Sequence, residues 1–200
     1  MDALDTLLTM ARPDLDRYIA LLKKWQQAVN LISPTTISDI WNRHIVDSAQ
    51  LYTCLPERAE IVADMGSGAG FPGVVLAILN KADNHPNRQV ILIESDMKKS
   101  LFLKEIIRNL NLNAVVLNQR IETVSGVAAD VITARALAPL EQLLKWGKPL
   151  MKKEAVCLFL KGENCDSEIQ NCPCKCQIEK IKSITKSNSY VLKITEVSND

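Results

Sequence analysis

Residues 64–73, Asp64-Met65-Gly66-Ser67-Gly68-Ala69-Gly70-Phe71-Pro72-Gly73, follow the short apolar run Ile61-Val62-Ala63. A strand ending in so many glycines, with Pro72 placed for the first turn of a helix, opens a βα unit whose backbone can approach a ligand closely. The chain then repeats that grammar. Apolar runs at 90–94, 114–117, 130–133 and 155–160 are separated by helical patterns over 97–110, near Glu122 and over 139–150. Continuous apolar strands alternating with helices indicate a parallel sheet covered on both faces. Segments 177–184 and 190–197 alternate apolar and polar residues instead and predict an antiparallel hairpin. The expected class is α/β, an open and mostly parallel sheet with its ligand at the carboxyl ends of the first strands.

Ahead of the sheet the sequence reads helical. After Pro13, the residues Leu15, Ile19, Leu22, Trp25 and Val29 fall on one helix face. Ser33-Pro34 interrupts, and a second helix is expected from about Thr35, with Ile37, Ile40, Trp41, Ile45 and Ala49 apolar, fading before Pro56. This divides the chain into a helical extension, 1–58, packed on a core domain, 59–200. The tryptophans Trp25, Trp41 and Trp146 sit on apolar helix faces and are expected in the core.

Composition narrows the classes. Of 200 residues, 47% are hydrophobic and 24% charged, with mean hydropathy +0.01, which excludes disordered and fibrous chains. Charges or glycine and proline interrupt every long apolar run, so no membrane span is expected. The acidic start Met1-Asp2-Ala3-Leu4-Asp5 lacks the features of a secretory signal, giving a cytoplasmic expectation. The formal charge of +1 gives no global sign of nucleic-acid binding. Lys145, Lys148, Lys152, Lys153 and Lys161 face only Glu154 within 145–161, a pattern that is usually a solvated face. Cys165, Cys172, Cys174 and Cys176 crowd together, but C-x-C spacing without a nearby His favours reduced thiols over a metal site.

Two registers fit the glycine loop. Gly68, Gly70 and Gly73 form G-x-G-x-x-G, with Glu94 at the distance of a dinucleotide's ribose contact. Asp64, Gly66, Gly68 and Gly70 form D-x-G-x-G-x-G, the usual S-adenosylmethionine loop. Charge separates them. Asp64 beside the turn opposes a pyrophosphate but suits the ammonium and sulfonium of S-adenosylmethionine, and Glu94 then suits the ribose diol. After the fourth strand the chain reads Thr133-Ala134-Arg135-Ala136-Leu137-Ala138-Pro139-Leu140, without the Asn/Asp-Pro-Pro-aromatic motif of amino-group methyltransferases or a nucleophilic cysteine. That points to an acceptor with its own free lone pair.

Over about 18–194 the chain resembles the bacterial small-subunit ribosomal RNA methyltransferase G proteins, also called glucose-inhibited division protein B. The resemblance rests on 21–31 (LLKKWQQAVNL), 40–48 (IWNRHIVDS), the loop DMGSGAGFPG, Arg120-Ile121-Glu122, the segment ARALAPL and Leu160-Lys161-Gly162. It implies a Rossmann-like class I S-adenosylmethionine-dependent methyltransferase that modifies N7 of one guanine in the decoding-region loop of 16S rRNA. The substrate would be 16S rRNA or the small ribosomal subunit, and the default assembly a monomer. Guanine N7 carries no proton at neutral pH, so in-line transfer needs alignment and dryness, with no general base.

By the same resemblance Gly66 and Phe71 frame the cofactor, with Asp64, Gly68 and Glu94 beside them, and Ile121 and Glu122 meet its adenine. Arg135 would stand between cofactor and guanine, on O6, a phosphate or the cofactor carboxylate. Asn30 and His44 would belong to an RNA-facing surface over the pocket along with Arg43, and Lys161 would meet RNA phosphate. Asp47, three residues after His44, could pair with it on a helix face. The family commonly has a basic residue before its last strand, where this chain has Ser187-Asn188-Ser189-Tyr190. Two other classes stay open: an NAD-dependent oxidoreductase, and a non-catalytic RNA- or ribosome-binding factor with a degenerate methyltransferase fold.

Overall fold

The structure, a computed structural model, describes residues 2–197. Seven strands form one sheet: β1 (Ile61–Met65), β2 (Gln89–Ile93), β3 (Ala114–Leu117), β4 (Ala129–Arg135), β5 (Met151–Lys161), β6 (Gln177–Lys182) and β7 (Tyr190–Thr195). Their order is β3-β2-β1-β4-β5-β7-β6. The first five run parallel, while β7 pairs antiparallel with both β5 and β6. The order reverses between β1 and β4, opening a crevice at their carboxyl ends.

Strand periodicity builds two cores. Val62, Val90, Leu92, Val131, Leu158 and Val191 face one side, where they meet α1 (Ala3–Trp25), α3 (Gly73–Ala82) and α4 (Met97–Leu110). Their neighbours Ala63, Met65, Ile91, Ile93, Ile132 and Phe159 face the other, against α5 (Leu140–Gly147) and α6 (Cys165–Gln170). Side chains alternate along a strand, so a continuous apolar run supplies both layers. The α4 helix shows clean ends: Asp96 accepts from the Lys99 N–H at 3.0 Å, and Asn111 takes a left-handed conformation at its close.

Three expectations change. The first helix begins at Ala3 and carries Pro13 inside it, rather than starting after Pro13. Pro13 is exposed, so water can satisfy the carbonyl that the missing N–H leaves free. The second expected helix is broken: a 3₁₀ turn (Pro34–Asp39), a wide π turn (Trp41–Val46), α2 (Asp47–Ala49) and a 3₁₀ turn (Gln50–Cys54) follow one another. Near Glu122 there is a 3₁₀ turn (Ile121–Thr123), and α6 was not anticipated.

The strands are otherwise close to their expected places, though β5 starts four residues earlier and β6 stops at Lys182. Trp25 donates its Nε1–H to Glu105 at 3.0 Å, and Trp41 lies under the Arg12 guanidinium at 4.1 Å. All six thiols are free. Among the described residues no helix is long and apolar enough to cross a membrane, and no cluster of His, Cys, Asp and Glu is arranged for a metal.

Candidate functional site

The glycine loop is held from three directions. Ser67 donates its N–H to the Ile93 carbonyl at 3.0 Å and its hydroxyl to the Asp64 carbonyl at 3.0 Å. The buried Tyr18 hydroxyl, on α1, donates to the Ala69 carbonyl at 2.5 Å. Gly66 has φ +64°, and a Cβ there would come within 2.5 Å of Leu137 Cδ1, so the loop turns and packs as only glycine allows.

This loop lines a cavity of about 490 Å³ with Gly66, Ser67, Gly68 and Phe71. Glu94 and Ser95 after β2, 119–122 after β3, and 135–137 at the end of β4 line it as well, with Leu31, Ile32, Ser33 and His44 from the segment ahead of β1. Glu94 is fixed at the wall: Oε2 accepts from the Gly68 N–H at 2.8 Å and Oε1 from the Asp96 N–H at 2.7 Å. Each oxygen keeps acceptor capacity, which fits a vicinal diol. Ile121 is half-buried and Glu122 exposed on the same rim.

Asp64 behaves differently from expectation. It is fully buried and does not line the cavity. Its Oδ1 accepts from the Thr133 hydroxyl at 2.9 Å and its Oδ2 from the Gly73 N–H at 3.2 Å. Burial pushes its carboxyl up to about 6, against the downward pull of hydrogen bonds from Ser67, Thr133 and Gly73. Asp64 therefore ties the loop to the first turn of α3. Its carboxylate also occupies the helix end where a dinucleotide's pyrophosphate would dock.

A second cavity, of about 500 Å³, adjoins the first, and His44, Arg135, Ala136 and Leu137 line both. The partition is a polar chain. Arg135 Nη2 donates to His44 Nδ1, and Nη1 donates to the Arg43 carbonyl at 3.1 Å and to Asp47 Oδ2 at 3.2 Å. Because His44 Nδ1 accepts, its Nε2 carries the proton and donates to the Thr36 hydroxyl at 2.8 Å. Burial first, then the charges of Arg135 and Arg43, push the imidazole down to about 4, so it is neutral. Phe71 packs beneath, 4.8 Å from the His44 ring and 5.0 Å from the Arg135 guanidinium. Asp47 thus pairs with Arg135 rather than with His44, because the π turn directs both side chains toward the end of β4.

The expectation for Lys161 is corrected. Lys161 is nearly buried; it donates to the Ala138 carbonyl at 2.8 Å and pairs with Glu168 at 2.5 Å, bracing the 136–139 segment instead of standing free for a phosphate. Asn30 is exposed and lines neither cavity, although its neighbours Leu31 and Ile32 line the first. Trp146, expected in the core, reaches the first cavity from the end of α5. Sequence reasoning also passed over Ser95 and Gln119, which follow strands as the fold requires but carry no motif of their own, and gave no role to Leu137 within the ARALAPL segment.

A family model described as rRNA small subunit methyltransferase G matches residues 11–192. The chain is 42% identical over 194 residues to a ribosomal RNA small subunit methyltransferase G of Paramagnetospirillum magneticum, covering 94% of this chain and 92% of that one. To the protein of the same name in Gluconobacter oxydans it is 47% identical over 155 residues, 78% and 77% of the two chains. Among solved structures, a SAM-dependent methyltransferase from Aquifex aeolicus superposes with a TM-score of 0.62 at 16% identity, over 82% of this chain and all of that one. A tRNA m1G37 methyltransferase from M. jannaschii gives 0.59 at 15% identity, over 84% and 51%.

Proposed function

The chain belongs to the rRNA small subunit methyltransferase G family, and from that premise we propose that it methylates N7 of one guanine in the decoding-region loop of 16S rRNA. The observation that carries the reading is Glu94, a carboxylate clamped by the Gly68 and Asp96 amides on the wall of the first cavity. S-adenosylmethionine, when bound, supplies a methyl group made electrophilic by its sulfonium.

Glu94 receives the ribose hydroxyls, Gly66, Gly68 and Phe71 frame the methionine and adenosine portions, and Ile121 and Glu122 border the adenine. Asp64 acts through the loop it fixes. The cavity's size suits a ligand of this kind.

The acceptor side needs no proton removed. His44 has both ring nitrogens engaged, by Arg135 and Thr36, and Asp47 is committed to Arg135, Gln50 and Thr185. These groups hold Arg135 in one place, its charge balanced by Asp47, where spare guanidinium donors can meet guanine O6 and leave N7 free. Alignment and exclusion of water then lower the barrier. Residues 1–58 form the RNA-facing side over the pocket, with Arg43 and Asn30 exposed on it. The substrate is 16S rRNA or the small subunit in the bacterial cytoplasm, and one chain, which lines both cavities by itself, is the active unit.

The test is methyl transfer from labelled S-adenosylmethionine to small subunits lacking their native N7-methylguanine, run beside naked 16S rRNA with the modified base mapped. Label on one loop guanine is expected. Tight cofactor binding with no label on either substrate overturns the reading.

A further inference from the structure

We propose that the second cavity receives the acceptor nucleotide of the RNA, with the turn between β6 and β7 as its outer wall. The inference rests on the methyl-transfer reading and adds where the acceptor sits and what holds it. The two cavities adjoin along His44, Arg135, Ala136 and Leu137, which line both, so a flat heterocycle in one can present its edge to a ligand in the other.

The lining matches a nucleotide. Pro139, Leu143 and Leu160 offer an apolar wall for a base, while Arg43 and Lys186 bring cations for its phosphates. Glu168, whose Oε2 is held by the Leu140 N–H at 2.7 Å and by Lys161, adds a carboxylate. Its other oxygen, Oε1, can accept from N1–H of guanine, whereas adenine has no N1 proton.

The outer turn is tied to the partition. Gln50 donates to the Ser183 hydroxyl at 3.1 Å and accepts from the Ile184 N–H at 3.2 Å. Thr185 donates its hydroxyl to Asp47 Oδ1 at 2.8 Å, and the other oxygen of Asp47 holds Arg135. The turn also answers the departure at 187–189. Lys186 supplies a cation to this wall, half-exposed and only 3.8 Å from Glu163.

Gly162 gives a direct test. It lines the second cavity but not the first, its φ is not in the left-handed range, and a Cβ there meets nothing within 4 Å. A side chain can therefore start here without a clash at its Cβ, and a bulky one on this lining position competes with a ligand for the cavity. With the full-length enzyme and small subunits, Gly162→Trp is expected to lose at least ~10-fold in kcat/KM while binding S-adenosylhomocysteine as wild type does. Lys186→Glu, on the exposed turn, is expected to raise KM for the subunit about tenfold, an effect that shrinks with added salt, with kcat little changed. Normal kcat/KM in Gly162→Trp, or unchanged KM in Lys186→Glu, overturns the proposal. If Gly162→Trp does not fold, the Lys186→Glu result decides alone. Absence of methyl transfer by the wild type would instead sink the functional reading on which this one rests.

Discussion

Glu94 and Arg135 do different work, and substitution separates them. Glu94→Gln keeps the shape but loses the charge, and a hydrogen bond to a charged group contributes about 1.5–3 kcal/mol. S-adenosylhomocysteine affinity, read by calorimetry, should fall tenfold or more, and the melting temperature should also drop, because the amide nitrogen cannot accept from the backbone N–H it then faces. Arg135→Lys keeps a charge but loses the planar fork that reaches His44, Asp47 and the Arg43 carbonyl together. Its single-turnover rate should fall by roughly 100-fold, and more than its cofactor affinity does.

His44 makes a pH prediction. It titrates near 4 in the fold and near 6.5 unfolded, so between these values the unfolded chain holds more protons. Its stabilising contribution is whole above about 6.5 and is lost as pH falls toward 4. Asp64, raised to about 6, acts with the opposite sign: its folded form holds the extra proton between 3.8 and 6, so its contribution weakens as pH rises there. Urea midpoints of wild type and His44→Gln should therefore converge as pH drops from 6.5 to 4. A constant gap across that range would remove the neutral-imidazole assignment.

At the scale of elements, the loop between β1 and α3 depends on α1. Gly70 has φ +97°, and a Cβ there would lie 2.5 Å from Val74 Cγ2 and 2.9 Å from the Tyr18 hydroxyl. Gly70→Ala should cost roughly 1–3 kcal/mol in a urea titration, from overpacking and backbone strain together. Tyr18 itself was legible only as the start of the stretch that resembles the family. That its hydroxyl would reach a carbonyl 51 positions away was not, because the angle at which α1 crosses the sheet is set by packing.

The π turn over 41–46 was equally hidden. Its residues read as an ordinary amphipathic helix, yet the wide turn is what directs His44 and Asp47 to one guanidinium.

Across the whole molecule, the expected boundary at residue 58 does not divide the core. Leu8, Leu15, Tyr18 and Leu22 of α1 belong to the same buried cluster as Val74, Leu76 and Phe102. A chain beginning at residue 59 would expose that apolar face, so it should lack a cooperative thermal transition and bind hydrophobic dyes. A sharp transition with native cofactor affinity would show that the extension is dispensable for folding.

What the sequence determined by itself is local in origin. Apolar runs specified the strands, glycine spacing specified the turn after β1, and the acid following β2 was placed at its end, because each depends on backbone sterics or on residues close along the chain. Only the tertiary structure decided the pairings: Asp64 to Thr133, Lys161 to Glu168, Arg135 to His44 and Asp47, and Thr185 to Asp47. In a sequence Asp64 and Lys161 are free charges beside a pocket. In the fold each loses its water and must take whatever partner packing brings, which turns a ligand contact into a brace.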